Sequence, residues 1–258
     1  MADATLVLHQ LRYDLLSTLR NPAARFFAIA LPVIFFVLLA SIFGNHTRFV
    51  DRHAIKNSTY YVPGISTLGI VATSFVNMVI TITDQRESGA LKRRRSTPVP
   101  AWVLIAGRAL AAVLLSYVVV VVLVVIGRLG YGVRLPGSTI PAYALAVAVG
   151  AICFCGLSYA LTSFIRTAES AQPILQAIVL PLYFISGVFI PSAQLSGTLK
   201  DIASVFPVSH LNNALFEAFN PATKGAGIAG HDLLILAIWT VGGLVVGLRR
   251  FSWSPRAT

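Results

Sequence analysis

The residues with the most capacity for chemistry in this chain lie close together: Glu87, then Lys92, Arg93, Arg94 and Arg95 in consecutive positions. Fixed cations in such a run recognise anions, whether acidic side chains, phosphates or anionic lipid. If 84–95 is helical, the residues four before these bases are Ser88, Gly89, Ala90 and Leu91, so no carboxylate one turn away neutralises any of them. Glu87 also lacks a basic partner at helical spacing. The charge is left for a second molecule. Anchoring beside anionic lipid is one use; a docking helix for a soluble partner, with Leu91 as its apolar anchor, is the other. Nucleic acid is disfavoured, because no aromatic residues interleave with the bases.

Catalytic patterns are missing. The sequence holds no GxSxG, no HExxH and no paired aspartates within an apolar segment. Cys153 and Cys155 stand in an apolar run without other ligand-type residues, as small packing residues do, and His46, Asp51 and His53 are too loosely spaced to define a metal site. There is no GxxxxGK[ST], so this chain carries no nucleotide-binding loop of that kind, binds no cofactor of its own, and needs a separate ATPase if nucleotide drives it.

The elements that must position the charged run are apolar. Of 258 residues, 56% are hydrophobic and 11% charged, against about 25% charged in an ordinary soluble domain. Lipid must therefore solvate most of the exterior. Six runs approach the roughly 20 residues that cross a bilayer: 26–43, 64–83, 103–126, 143–164, 174–190 and 233–248. Alternating sides place thirteen Lys and Arg on the side of both termini and seven on the other, so the positive-inside bias puts the termini and the 84–95 run in the cytoplasm. None of the six span centres holds Asp, Glu, Lys, Arg or His, which argues against a proton-coupled carrier.

Ahead of the first span, Leu8, Leu11, Leu15 and Leu19 share one face of a helix that Asn21 and Pro22 end, as expected of an amphipathic helix in the cytoplasmic interface. Between the last two spans, 191–232 is long for a loop, and Leu195, Leu199, Ile202 and Phe206, then Leu211, Leu215 and Phe219, recur at helical spacing around Pro207. Two short external helices are expected there, with Ser209 as a cap of the second. The 84–95 run should be a short cytoplasmic helix, followed by a third span with Thr97 as its N-cap and Pro98 at its first position. No linker divides the chain, which reads as one all-α membrane domain, 1–258: an interfacial helix (1–25), a six-span bundle (26–248) and a cytoplasmic tail (249–258).

The segment ESGALKRRRSTPV resembles the first cytoplasmic loop of ABC-2 type permeases, the membrane subunits of ATP-binding-cassette exporters, at Glu87, Gly89, Leu91, Lys92, Thr97 and Pro98, with Ala90 and Arg94 as departures. Gly107-Arg108-Ala109-Leu110 and, further on, Gly187, Phe189, Pro191, Leu195, Pro207 and His210 are also similar to that family. The resemblance implies a multi-pass subunit of a bacterial inner membrane that dimerises with itself or a relative. It implies an ABC ATPase partner binding ATP and Mg, docked on Glu87, Gly89, Leu91, Lys92 and Arg93. A likeness to daunorubicin-resistance-type exporters implies efflux of an amphipathic drug-like or lipid-like substrate, with Phe35, Asn77, Gln176, Tyr183 and Phe184 as candidates to line the pathway. Export of polysaccharide or envelope lipid fits the same architecture; a stand-alone secondary carrier and a membrane scaffold are the readings from other classes.

Overall fold

The computed structural model describes residues 2–44, 46–50, 53–95, 100–190, 196–223 and 225–250. The described residues form α1 (Ala2–Arg20), α2 (Pro22–Phe43), a hairpin of β1 (Thr47–Val50) and β2 (His53–Lys56), α3 (Asn57–Glu87), α4 (Ala90–Arg95), α5 (Ala101–Tyr131), α6 (Ile140–Thr162), α7 (Ala168–Ile185), α8 (Gly197–Ala203), α9 (Pro207–Phe219) and α10 (Gly230–Arg250). In the hairpin Thr47 faces Lys56 and Val50 faces His53 in antiparallel register. Local chemistry sets many of the ends. Asn21 both terminates α1 and starts α2, its Oδ1 accepting from the Ala24 amide at 3.2 Å with Pro22 in the first turn. Proline also stands in the first turn of α6 and α9, and α5 ends where Gly132 turns left-handed, at φ 63°. The expected cap at Thr97 and Pro98 lies outside the described residues, as do Asp51, Pro191 and Leu195.

Among the described residues, five helices, α2, α3, α5, α6 and α10, are long and apolar enough to cross a membrane. The sequence led us to expect six. The run at 174–190 falls on α7 and the turns after it: α7 begins earlier, at Ala168, so Glu169, Ser170, Gln172 and Gln176 dilute its first half, and it stops at Ile185 ahead of Gly187, where φ is 80°. The 84–95 run is not one helix either. Gly89, at φ 70°, breaks it into the end of α3 and the separate α4, because only glycine adopts that conformation without steric cost.

At the centre stands α3, of whose most apolar stretch 78% is buried, against 22% for α2 and 17% for α10. It packs on α2, α5, α6 and α9. A helix enclosed on every side by apolar neighbours must satisfy its polar side chains within the protein. Ser66 Oγ meets Tyr143 Oη at 2.8 Å, Thr73 and Ser74 share Ser116 Oγ at 2.9 and 3.2 Å, and Thr67 and Thr83 donate to carbonyls one turn back. Both α2 and α3 contain one widened π turn, at Phe26–Ala30 and Ala72–Val76, and the two turns lie against each other.

Glycines bring α10 onto α6. A Cβ on Gly243 would stand 2.8 Å from the backbone carbonyl carbon of Gly156, and one on Gly247 2.9 Å from Tyr159 Cβ. This is the small-xxx-small spacing by which membrane helices approach closely. Gly242 beside them faces open space. Gly243→Val is therefore expected to cost about 1–3 kcal/mol through overpacking against backbone, lowering the thermal midpoint in detergent, while Gly242→Val leaves it unchanged. Equal midpoints for the two variants would refute this packing.

Candidate functional site

The charged run sits at one end of the bundle, where the loop between α6 and α7 meets the end of α3. Arg86 is 2% exposed and forks across that loop: Nη1 donates to Thr162 O at 2.9 Å, and Nη2 to Ile165 O at 2.6 Å and Arg166 O at 3.1 Å. These carbonyls belong to the last turn of α6 and the residues after it, which have no helical partner and carry the negative end of the helix dipole. Glu87, next in sequence, takes the opposite end of the following helix, its Oε2 accepting from the Ala168 amide at 2.6 Å in the first turn of α7. A cation thus closes one helix and an anion opens the next. Thr167 completes the start of α7, accepting from the Ser170 amide at 3.3 Å.

On the other side of Gly89, Leu91 turns inward. It is 3% exposed, in a cluster with Met78, Ile82, Ala112, Cys155 and Tyr159, and so fastens α4 to its own bundle. Lys92 and Arg93 face outward, with Arg93 Nη1 reaching back to Ser88 O at 3.5 Å. The side chains of Arg94 and Arg95 lie outside the described part. What α4 presents is a short cationic surface held by one leucine and one left-handed glycine.

A third arrangement joins α1 to the same end. Gly107 of α5 lets α1 approach so closely that a Cβ there would stand 2.6 Å from Gln10 Cγ. Beside it Arg108, 8% exposed, faces Asp14 at 3.9 Å and bonds to Gln85 Oε1 of α3, while Gln10 Nε2 donates to Asp14 at 2.8 Å. So α1 turns Gln10 and Asp14 to the bundle and leaves Leu8, Leu16 and Leu19 exposed. These contacts border a cleft whose walls include Asp14, Thr18, Thr73, Asn77, Thr81 and Arg108.

The candidate pathway residues separate into three places. Phe35, Tyr183 and Phe184 gather around Phe189, at ring centroid distances of 5.4, 6.2 and 5.4 Å. Tyr183 is buried and donates to Leu68 O of α3 at 3.3 Å; Phe184 is exposed. Gln176 is exposed on α7, two turns from Phe184, and Asn77 belongs to the cleft beside α1. Of the two short helices, α9 is buried, with Leu211 and Leu215 fully enclosed, while α8 is exposed apart from Ala203. Ser209 does not cap α9, which starts at Pro207; its hydroxyl donates back to Ala203 O of α8 instead.

His210 joins α8, α9 and α10, bonding to Ser204 O at 2.7 Å and Asp232 Oδ1 at 2.6 Å. With His231 these residues bring ligand-type atoms within 4.8 Å of one another, but both ring nitrogens of His210 are already engaged, so the group acts as a brace.

Sequence reasoning counted Arg86 only among the cytoplasmic charges and treated Glu87 as open to a partner. Nothing local reveals their roles, since the atoms they bind lie 76 to 81 residues away. Removing the Arg86 fork leaves buried carbonyls without donors, so Arg86→Met is expected to cost about 3 kcal/mol, read as a lower thermal midpoint; Arg86→Lys recovers only part, because one ammonium cannot reproduce the planar fork. Glu87→Gln keeps an acceptor for Ala168 and Glu87→Ala does not, so the alanine variant alone is expected to lose about 1 kcal/mol, read by faster hydrogen exchange in the first turn of α7.

No curated protein matches the chain. Its residues 5–220, from α1 to the end of α9, match the family described as ABC-2 type transporter. That family supplies the membrane-embedded permease components of ABC transporters, which typically work with an ATPase partner and are not themselves the catalytic ATPase. With several helices able to cross a bilayer and most of its length matched, this multi-pass membrane protein belongs to the ABC-2 type transporter family.

Proposed function

We propose that this chain is half of an ATP-driven exporter of an amphipathic molecule. A separate ATPase, binding ATP and Mg, docks from the cytoplasm on the outward face of α4, chiefly at Lys92 and Arg93. Leu91 and Gly89 set the pose of α4, and Arg86 and Glu87 carry its displacement into the α6–α7 loop. The observation that carries the reading is this pairing of an exposed cationic helix with a buried arginine clamp: a push on α4 has a stiff path into α7. Coupling requires contacts that differ between two states, and in this reading they are those that the ATPase makes with α4.

In this reading α7 is a sixth crossing. Its 18 residues span about 27 Å at 1.5 Å per residue, close to the hydrocarbon thickness. Both termini are then cytoplasmic, and α8 and α9 pack as an external re-entrant brace. A second copy or a relative covers the exposed apolar faces of α2 and α7, which include Ile34, Leu38 and Phe184. The aromatic group of Phe35, Tyr183, Phe184 and Phe189 then borders the pathway and favours a substrate with an apolar body, drug-like or lipid-like.

The test is ATP-dependent transport into inverted vesicles containing the permease and its ATPase, with a panel of amphipathic drugs and lipids. Lys92→Glu with Arg93→Glu is expected to weaken docking by about tenfold, or roughly 1.4 kcal/mol, so the ATPase no longer co-purifies and transport falls while membrane insertion is normal. Full transport by the double variant would sink the docking assignment.

A further inference from the structure

A three-sided apolar groove opens between α6, α7 and α10, away from the cleft beside α1 and with one end next to the loop that Arg86 clamps. Val71, Phe75 and Phe154 form its floor, Leu157 and Leu161 of α6 and Ile178 and Leu182 of α7 its walls, and Phe206 with Pro207 closes one end. Its empty space, open side included, is about 800 Å³ and is almost wholly apolar. Trp239 of α10 stands at the closed end, its indole Nε1 donating to Val205 O at 3.1 Å. Phe164 stands at the other end, and the guanidinium of Arg250 lies over its ring, 5.5 Å from the centroid.

The groove and its charge fit together in length. Trp239 and Arg250 lie eleven residues apart on one helix, about 16 Å at 1.5 Å per residue, so a cation marks the mouth of an apolar slot roughly half a bilayer core deep. The positive-inside bias places that mouth at the cytoplasmic surface. Arg249 and Arg166, both exposed, lie beside it in sequence, next to Arg250 and two residues beyond Phe164. Of the carboxylates nearby, Glu87 is turned onto the Ala168 amide and Glu169 stands exposed in the first turn of α7. Among the described residues, no carboxylate lies within 4.0 Å of the side-chain nitrogens of Arg166, Arg249 or Arg250. A slot with a wholly apolar interior suits a hydrocarbon chain, and unneutralised arginine at its cytoplasmic mouth suits a phosphate.

We infer that this groove is a binding site for an anionic phospholipid of the cytoplasmic leaflet, its acyl chain between α7 and α10 and its phosphate at Arg250. Because α7 packs on the last part of α3 while α10 packs on α6, the lipid fills a seam between two parts of the bundle and fixes their spacing. The site requires no ATPase and stands apart from the transport reading above.

The full 258-residue chain carrying Trp102→Phe and Trp253→Phe, reconstituted alone in vesicles, leaves Trp239 as the single reporter. Phosphatidylglycerol and phosphatidylcholine with brominated acyl chains serve as quenchers. Brominated phosphatidylglycerol is expected to quench Trp239 at mole fractions about fivefold lower than brominated phosphatidylcholine, the preference one arginine confers. Arg250→Gln is expected to remove that preference while leaving the quenching itself, and Ala160→Phe, which fills the groove from α6, to reduce quenching by both lipids. Equal quenching by the two lipids in the parent protein overturns the headgroup assignment. No quenching by either, as when a second copy or the transported substrate covers the groove, overturns the site.

Discussion

A buried guanidinium holds one end of this bundle together. Arg86 is placed where the last carbonyls of α6 would otherwise be unsatisfied, and in a chain so apolar those carbonyls have few other donors. Its neighbour Glu87 meets the first turn of α7 with the opposite charge. Two adjacent side chains thereby fix the path of the α6–α7 loop and the direction in which α7 leaves it. The position of Arg86 depends in turn on α3 running unbroken through the core and stopping at Gly89.

That arrangement separates two tasks which the charged run first suggested were one. The inward residues, Arg86, Glu87 and Leu91, hold α3, α4, α6 and α7 in fixed relation, while Lys92 and Arg93 are exposed on the outward face of α4. A transmission element requires both properties. Were Lys92 and Arg93 buried, α4 would present no cationic surface; were Leu91 exposed, α4 would be held to the bundle only through Gly89.

Much of the fold is legible as composition and period. Apolar runs at 26–43, 64–83, 103–126, 143–164 and 233–248 correspond to α2, α3, α5, α6 and α10, and Asn21-Pro22 and Pro207 mark helix starts. The ends were less legible, since α3 begins at Asn57, well before its apolar run, with Asn57, Ser58 and Thr59 buried by neighbouring elements. The α6–α10 contact was written in Gly243 and Gly247, yet a glycine spacing does not name the helix it packs against. The candidate pathway residues were chosen by type, and the structure gathers three of them while sending Asn77 and Gln176 elsewhere.

By itself, the sequence determined that the chain lives in lipid, and that a cationic segment with no carboxylate one helical turn before it follows the second apolar run. These properties are sums over residues or relations within one helical turn, which is why they can be read in one dimension. Only the tertiary structure decided that Arg86 and Glu87 close and open helices some eighty residues away, that Leu91 points inward, that Gly107 admits α1 to a shared polar contact at Arg108, and that Arg250 stands at the mouth of an apolar groove. Each of these is a long-range contact whose partner is chosen by packing geometry, and no local spacing encodes which carbonyl or ring a side chain will meet.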